Sequence, residues 1–236
     1  MRKLIGALED IGLNNKADTS EKFERYMKLV LSWNEKVNLT SIKEREDFIK
    51  KHYIDSIAIC GFQQFKAARH IIDVGTGAGF PGIPLAILNP EKEFLLMDSL
   101  NKRIRIIEEL AKEIGLRNVT FRHARAEELA RIKDYREQFD LAVSRAVANL
   151  AVLSEYCLPF VRVGGWFAAY KSGIAEEELA GSLRAIELLG GQPESNQEIN
   201  IKGFDLDHRI LFIRKVKNTG SKYPRKTGTP AKDPLK

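Results

Sequence analysis

One short run constrains this chain more than any other. Ile71-Ile72-Asp73-Val74 is apolar and rich in β-branched residues, and Gly75-Thr76-Gly77-Ala78-Gly79 follows it directly. Phe80-Pro81-Gly82 then leads into GIPLAIL, which has the composition of a buried helix. A strand, three alternate glycines and a helix make a sharp turn whose main chain a ligand can touch. Amides at the start of the helix add a place for an anionic group. The competing reading is a tight strand–helix turn that binds nothing.

The surroundings of this run fix the fold class. Downstream, EFLLMD, VTFRH, FDLAVS and WFAAYK read as further strands. Helical stretches at 102–114 (ended by Gly115), around 147–158 and at 175–189 separate them. Strands alternating with helices predict a mostly parallel α/β sheet. Two last strand candidates, 196–201 and 209–216, have no helix between them and should pair as a hairpin. Upstream, Phe23, Tyr26, Val30, Trp33 and Val37 recur at helical spacing, with capping residues at Asp18-Thr19-Ser20-Glu21. A second helix is expected from about Glu44 through Ile57. The expected division is a helical segment at 1–68, a sheet domain at 69–218 and an extended basic tail at 219–236.

Size and composition are consistent with that plan. A chain of 236 residues buries about 70% of its extended-chain surface, enough for a core without staples. Cys60 and Cys157 lie far apart and the four histidines are scattered, so neither a zinc site nor a disulfide framework is expected. Such cysteine usage suits a reduced, cytoplasmic protein. No apolar run reaches the roughly 18 residues of a membrane span, and Glu9 and Asp10 cut short the apolar start.

The net charge of +6 is unevenly placed. From Arg214 onward eight basic residues face the single acid Asp233, a net +7, while the rest is near neutral. A basic tail on a neutral body suggests a polyanionic partner; a solvated end without one is the alternative. If all seven charges met single-stranded phosphates, the log–log salt slope would be roughly −5, and each doubling of salt would weaken binding about thirtyfold.

Two ligand classes use a glycine loop of this kind. Gly77-Ala78-Gly79-Phe80-Pro81-Gly82 fits the dinucleotide pattern G-x-G-x-x-G, weak support by itself. The longer Asp73-Val74-Gly75-Thr76-Gly77-Ala78-Gly79 has the form used by methyltransferases for the amino-acid end of S-adenosylmethionine. Asp73 suits that ligand's ammonium group and would repel a pyrophosphate. Asp98, at the end of the second strand, can accept both ribose hydroxyls of either cofactor. The terminal hairpin is a habit of the methyltransferase fold rather than of dehydrogenases.

The acceptor is narrowed by elimination. Enzymes that methylate exocyclic amines usually carry an Asn/Asp-Pro-Pro-aromatic turn after the fourth strand, where this chain has Ser144-Arg145-Ala146-Val147. A cytosine-C5 enzyme needs a nucleophilic cysteine, and Cys157 falls inside a predicted helix as a core thiol. A ring nitrogen such as guanine N7 presents a bare lone pair, so alignment with the methyl group suffices.

With these residues assembled, the chain resembles the 16S ribosomal RNA guanine-N7 methyltransferases, the RsmG family, formerly glucose-inhibited division protein B. The resemblance spans essentially the whole chain. Its carriers are Trp33-Asn34 with Asn38-Leu39-Thr40, His52-x-x-Asp55-Ser56, the run from Asp73 to Pro84, Asp98-Ser99-Leu100-Asn101-Lys102-Arg103, Arg125-Ala126-Glu127, Arg145-Ala146-Val147, and Tyr223-Pro224-Arg225-Lys226-x-Gly228-Thr229-Pro230. Thr227 stands where proline is expected in close relatives.

The resemblance implies a class I S-adenosylmethionine-dependent methyltransferase, a Rossmann-like seven-stranded sheet with a terminal hairpin and a small N-terminal helical segment. It implies Gly75, Gly77, Phe80, Asp98, Ala126, Glu127 and Arg145 as the cofactor set, with Ala126 and Glu127 near the adenine and Asp98 at the ribose. Arg145 is expected to face the cofactor and the incoming base and is the candidate catalytic residue. His52, Lys171, Lys222, Arg225 and Lys226 are candidate contacts to RNA. Without the resemblance, Glu127 reads as an acid in a helix's first turn, His52 and Asp55 as a surface pair, and Trp33 as core. The implied substrate is a guanine in the decoding region of 16S ribosomal RNA, free or in the 30S subunit, methylated by a monomer with no membrane partner. The other readings are an enzyme of the same fold acting on a small molecule or protein, and a non-catalytic RNA-binding factor.

Overall fold

The computed structural model describes every residue except 14–16, 146–147, 173–174, 199–200, 202–203 and 205–207. Seven strands form one sheet in the order β3-β2-β1-β4-β5-β7-β6. They are β1 (His70–Val74), β2 (Glu93–Asp98), β3 (Val119–His123), β4 (Phe139–Arg145), β5 (Val161–Ser172), β6 (Gly191–Glu198) and β7 (His208–Lys215). β1 pairs in parallel with β2 and β4, β2 with β3, and β4 with β5. β7 runs antiparallel to both β5 and β6, so the expected terminal hairpin forms.

Helices cover both faces, which is why the central strands are apolar on both sides. Side chains alternate across the sheet. Ile71, Leu141, Val143, Ala168, Ile210 and Phe212 enter one core. Ile72, Ala142, Phe167, Ala169, Leu211 and Ile213 enter the other. The first core also takes in α1 (Arg2–Asp10) and α2 (Ala17–Asn34) through Leu4, Leu8, Phe23, Tyr26 and Val30. The N-terminal segment therefore shares its core with the sheet. Trp33 is only partly buried, with the Lys36 ammonium 5.8 Å from its ring. Among the described residues, no helix is long and apolar enough to cross a membrane.

Several boundaries differ from expectation. The second N-terminal helix is composite: α3 (Arg45–Phe48), a π-helical turn (Ile49–Ile54) and α4 (Asp55–Ile57). A 3₁₀ turn and α5 (Gln63–Ala67) lead on to β1. Asp18-Thr19-Ser20-Glu21 lies inside the first turn of α2 rather than before it. The helix expected at 175–189 is two pieces, α10 (Ala175–Ala180) and α11 (Leu183–Leu188), parted at Gly181-Ser182 where glycine is a poor helix former. The helix expected around 147–158 is α9 (Leu150–Cys157), whose start is capped by Asn149 Oδ1 accepting from Val152 N at 3.0 Å; position 147 lies outside the described residues. β6 begins at Gly191, earlier than the 196–201 expectation, whose positions 199–200 lie outside the described residues. It is a polar edge strand with Pro193 at an irregularity, so it carries no apolar pattern to read.

The largest correction concerns the tail, expected to be extended. It folds back on the second core. Tyr223 is buried, and Arg136 donates to the carbonyls of Thr219, Gly220 and Tyr223. Arg131 donates to the Pro224 carbonyl. Arg225 offers its backbone amide, Nε and Nη2 to Glu155, which has no exposed surface. Thr227 Oγ1 donates to Glu128, and α12 (Thr229–Lys232) closes the run. The bonds go to backbone carbonyls and to carboxylates on distant helices, partners that composition does not reveal.

Candidate active site at the carboxyl ends of the parallel strands

Strand order reverses between β1 and β4, and the carboxyl ends of parallel strands at such a switch point form a crevice. Here the crevice is a cavity of about 510 Å³ lined by residues following β1, β2, β3 and β4. All seven positions expected to hold a cofactor lie on its wall: Gly75, Gly77, Phe80, Asp98, Ala126, Glu127 and Arg145. His52 lines it too. Its volume suits a nucleoside-sized ligand.

The glycine loop leaves β1 with Gly75, Gly77 and Gly79 at φ of 77°, 59° and 87°, the left-handed region that glycine occupies at no steric cost. At Gly79 a β-carbon would strike the Tyr26 hydroxyl and lie 2.7 Å from Ile83 Cγ1. Tyr26 donates that hydroxyl to Ala78 O at 2.9 Å, so α2 clamps the loop from outside the sheet domain. Asp98 braces it from β2: Oδ2 accepts from Gly77 N at 3.0 Å and Oδ1 from Leu100 N at 2.9 Å.

Asp73 was expected to meet an ammonium group, and the structure corrects this. It sits fully buried beneath the loop and is not among the residues lining the cavity. Oδ2 accepts from Thr76 Oγ1 at 2.7 Å and from Gly82 N at 2.8 Å, tying the loop's two ends together. Oδ1 has no partner among the described residues. Burial pushes its pKa up to about 6 despite these bonds.

Arg145 ends β4. Nη1 donates to Asp55 Oδ2 at 2.8 Å and to Lys51 O at 2.9 Å. Nη2 lies 3.0 Å from His52 Nδ1, and the guanidinium sits 5.5 Å from the Phe80 ring centre. His52 stacks on Phe80 with ring centroids 4.2 Å apart and planes within 4°. Burial, then the Arg145 charge, pushes the His52 pKa down to about 3, so the imidazole stays neutral. His52 and Asp55 are thus not a surface pair; both face Arg145 from the π-helical turn and its exit. Ala146 and Val147 of the Arg145-Ala146-Val147 pattern lie outside the described residues.

The cavity is also lined by Ala126, Glu127, Tyr156 and Ala231. Glu127, in the first turn of α8 (Ala126–Leu129), is buried and accepts from Gly228 N at 2.9 Å. The C-terminal segment thereby supplies part of the wall. Neither Tyr156 nor Ala231 is marked by residue type; only the Tyr223–Pro230 pattern hinted that the segment has a fixed place.

The residues expected to meet RNA divide. Lys222 and Lys226 are exposed. Arg225 is held by Glu155 and by the carbonyl of Asp233 at 2.7 Å. Lys171 lies within β5 rather than after it, and its ammonium is taken by Ala148 O at 2.9 Å and Glu178 Oε1 at 2.7 Å. Lys215, counted with the basic tail, is buried on Leu158 O, Thr219 Oγ1 and Glu137. Cys157 closes α9 fully buried, and burial raises its thiol pKa well above the usual range, against any nucleophilic role.

Comparison with known proteins agrees with this outline. A family model described as rRNA small subunit methyltransferase G (GidB) matches residues 19–208. The ribosomal RNA small subunit methyltransferase G of Clostridium tetani is 50% identical over 99% of this chain and 98% of its own length. That of Clostridium novyi is 48% identical over 97% and 94%. A ribosomal protein L11 methylase from Lactobacillus delbrueckii subsp. bulgaricus superposes with a TM-score of 0.52 at 19% identity, covering 68% of this chain and 78% of that one. An O-methyltransferase family protein from Burkholderia thailandensis gives 0.56 at 11% identity, covering 74% and 58%. At such identities the two structures share the fold alone.

Proposed function

Because the chain belongs to the rRNA small subunit methyltransferase G family, we propose that it transfers a methyl group from S-adenosylmethionine to N7 of a guanine in 16S ribosomal RNA. The observation that carries this reading is the convergence of four strand ends on one cavity, with a glycine loop at β1, a carboxylate at β2 and an arginine at β4. The donor set fits the cofactor. Asp98 would accept from the ribose hydroxyls, Gly75, Gly77 and Phe80 would line the loop side, and Ala126 and Glu127 would lie near the adenine. The bound cofactor supplies an electrophilic methyl group on a sulfonium.

The chain itself supplies alignment. Guanine N7 needs no deprotonation, and His52, which lines the cavity, is held neutral with both ring nitrogens engaged and so is no base for the step. A site that only positions two partners can still contribute about 7–11 kcal/mol through orientation. Arg145, fixed by Asp55 and Lys51 O, is the residue proposed to face the incoming base. Lys222 and Lys226 are proposed to meet RNA phosphates beside it. The enzyme is proposed to work in the cytoplasm as a monomer, with the helical segment at 1–68 forming part of the substrate face.

The test is methyl transfer from labelled S-adenosylmethionine to small subunits from cells lacking this protein, followed by nucleoside digestion. Label in 7-methylguanosine of 16S RNA is expected. Label in another nucleoside would keep the cofactor and overturn the acceptor.

A further inference from the structure

The donors and acceptors around Thr40 do not balance within the protein. Asn34 Oδ1 accepts from Leu39 N at 2.8 Å and Thr40 N at 3.0 Å, which fixes the chain where it passes the cavity. Thr40 lines that cavity beside His52 and Phe80. Arginine has only donors, so His52 Nδ1 must accept from Arg145. A neutral imidazole then carries its proton on Nε2, which lies 2.8 Å from Thr40 Oγ1 and donates to it. Ile42 N donates to the same oxygen at 3.1 Å. Both lone pairs of Oγ1 are spent, and the hydroxyl proton has no acceptor among the described residues. Arg145 is in the same position: two of its Nη hydrogens go to Lys51 O and Asp55, a third to His52, and the rest have no acceptor among the described residues.

We propose that the Thr40 hydroxyl is a committed donor into the cavity, and that with the unspent N–H groups of Arg145 it holds an acceptor oxygen of a bound molecule. The proposal rests on the methyltransferase reading above, which brings two molecules carrying such an oxygen. One is the cofactor, through the carboxylate of its amino-acid end. The other is the substrate base, through O6 of guanine, which neighbours N7; adenine has the same bare N7 but an amino donor at position 6, which a corner made only of donors would repel. The relay from Arg145 through His52 to Thr40 orients the donor, since reversing any link would leave two donors facing each other.

Thr40→Val removes the hydroxyl at nearly constant volume, and Thr40→Ser keeps it. Three quantities are read: affinity for S-adenosylhomocysteine, affinity for 5′-methylthioadenosine, which lacks the carboxylate, and kcat/KM on unmodified small subunits. If the oxygen is the carboxylate, Thr40→Val weakens S-adenosylhomocysteine about tenfold or more and leaves 5′-methylthioadenosine unchanged. If it is O6, both affinities stay unchanged and kcat/KM falls about tenfold or more. Thr40→Ser stays near the wild type in both cases. Equal weakening of both ligands by Thr40→Val, no change beyond twofold in any quantity, or a serine variant as impaired as the valine would each overturn the proposal. Failure of the methyltransferase reading shows separately: the wild-type protein would leave no label in 7-methylguanosine, or would bind neither ligand.

Discussion

The amide of Gly228 donates to Glu127 Oε1 at 2.9 Å, joining the C-terminal segment to a residue of the cavity wall. Glu127 therefore has one carboxylate oxygen committed inside the protein. The segment is anchored elsewhere, by Arg225 on Glu155, so the wall does not depend on that single bond.

Arg225→Leu leaves the fully buried Glu155 carboxylate without its cation, and breaking a buried pair costs about 3–5 kcal/mol. Pairing Glu155→Leu with Arg225→Leu removes the stranded charge and should recover most of that loss. Urea unfolding of the wild type, the single and the double variant checks both statements. A single variant within about 1 kcal/mol of the wild type would refute the anchoring role.

Arg145→Lys keeps the charge and loses the fork. An ammonium cannot reach Lys51 O, Asp55 and His52 together, so kcat/KM should fall about a hundredfold while the far-ultraviolet circular dichroism stays unchanged. A lysine variant with wild-type kinetics would mean that the charge matters and the geometry does not.

His52 gives stability a sign with pH. Its folded pKa, about 3, lies below the unfolded value near 6.5, so between them the unfolded chain binds more protons. Its contribution is complete above about pH 6.5 and is lost as pH falls toward 3, at about 1.4 kcal/mol per pH unit. Unfolding free energies from pH 5 to 7 should show a shallower slope for His52→Asn than for the wild type. Equal slopes would show that His52 is not buried as a neutral acceptor.

RNA binding should depend on salt less steeply than a fully free tail allows. Lys215 is buried and Arg225 is paired, which leaves Lys217, Lys222, Lys226, Lys232 and Lys236 exposed beyond β7. Five contacts give a log–log slope near −3.5, about tenfold per doubling of salt. Lys226→Ala should lower the slope by about 0.7. Filter binding across a salt series measures it, and a slope of about −5 would mean the segment undocks on RNA.

How much of the site the sequence showed depends on how local each feature is. The glycine loop, Asp98 and Arg145 are marked by their places at strand ends, and the hairpin pairing follows from the missing helix, though not the start of β6 at Gly191. Glu127 and His52 became candidates through resemblance alone, because an acid in a first helical turn and a histidine on a helix have ordinary reasons to be there. Asp73 was assigned to a ligand it does not face, since residue type could not show that Thr76 and Gly82 engage it from the loop. Beyond the Tyr223–Pro230 pattern, the docking of the C-terminal segment has no mark in the sequence: its charges look solvated until Glu155, a residue on a distant helix, is placed beneath Arg225. Thr40 shows the same limit, for its hydroxyl gains meaning only once Arg145, His52 and Ile42 are counted around it.

The π-helical turn at Ile49–Ile54 holds one residue more than an α-helix would need to cover the same rise. Deleting one residue there would let the turn relax to α spacing while α3 and α4 kept nearly the same relation, because the wide turn and the shorter α stretch sweep a similar angle. Asp55 would stay near Arg145, and the Ser56 carbonyl near the Tyr170 hydroxyl that now donates to it at 2.8 Å. The wide turn is therefore the place where this segment could lose a codon and keep its frame: the helices on either side would hold, and only the turn's own contacts to Arg145, through Lys51 O and His52, would have to be remade.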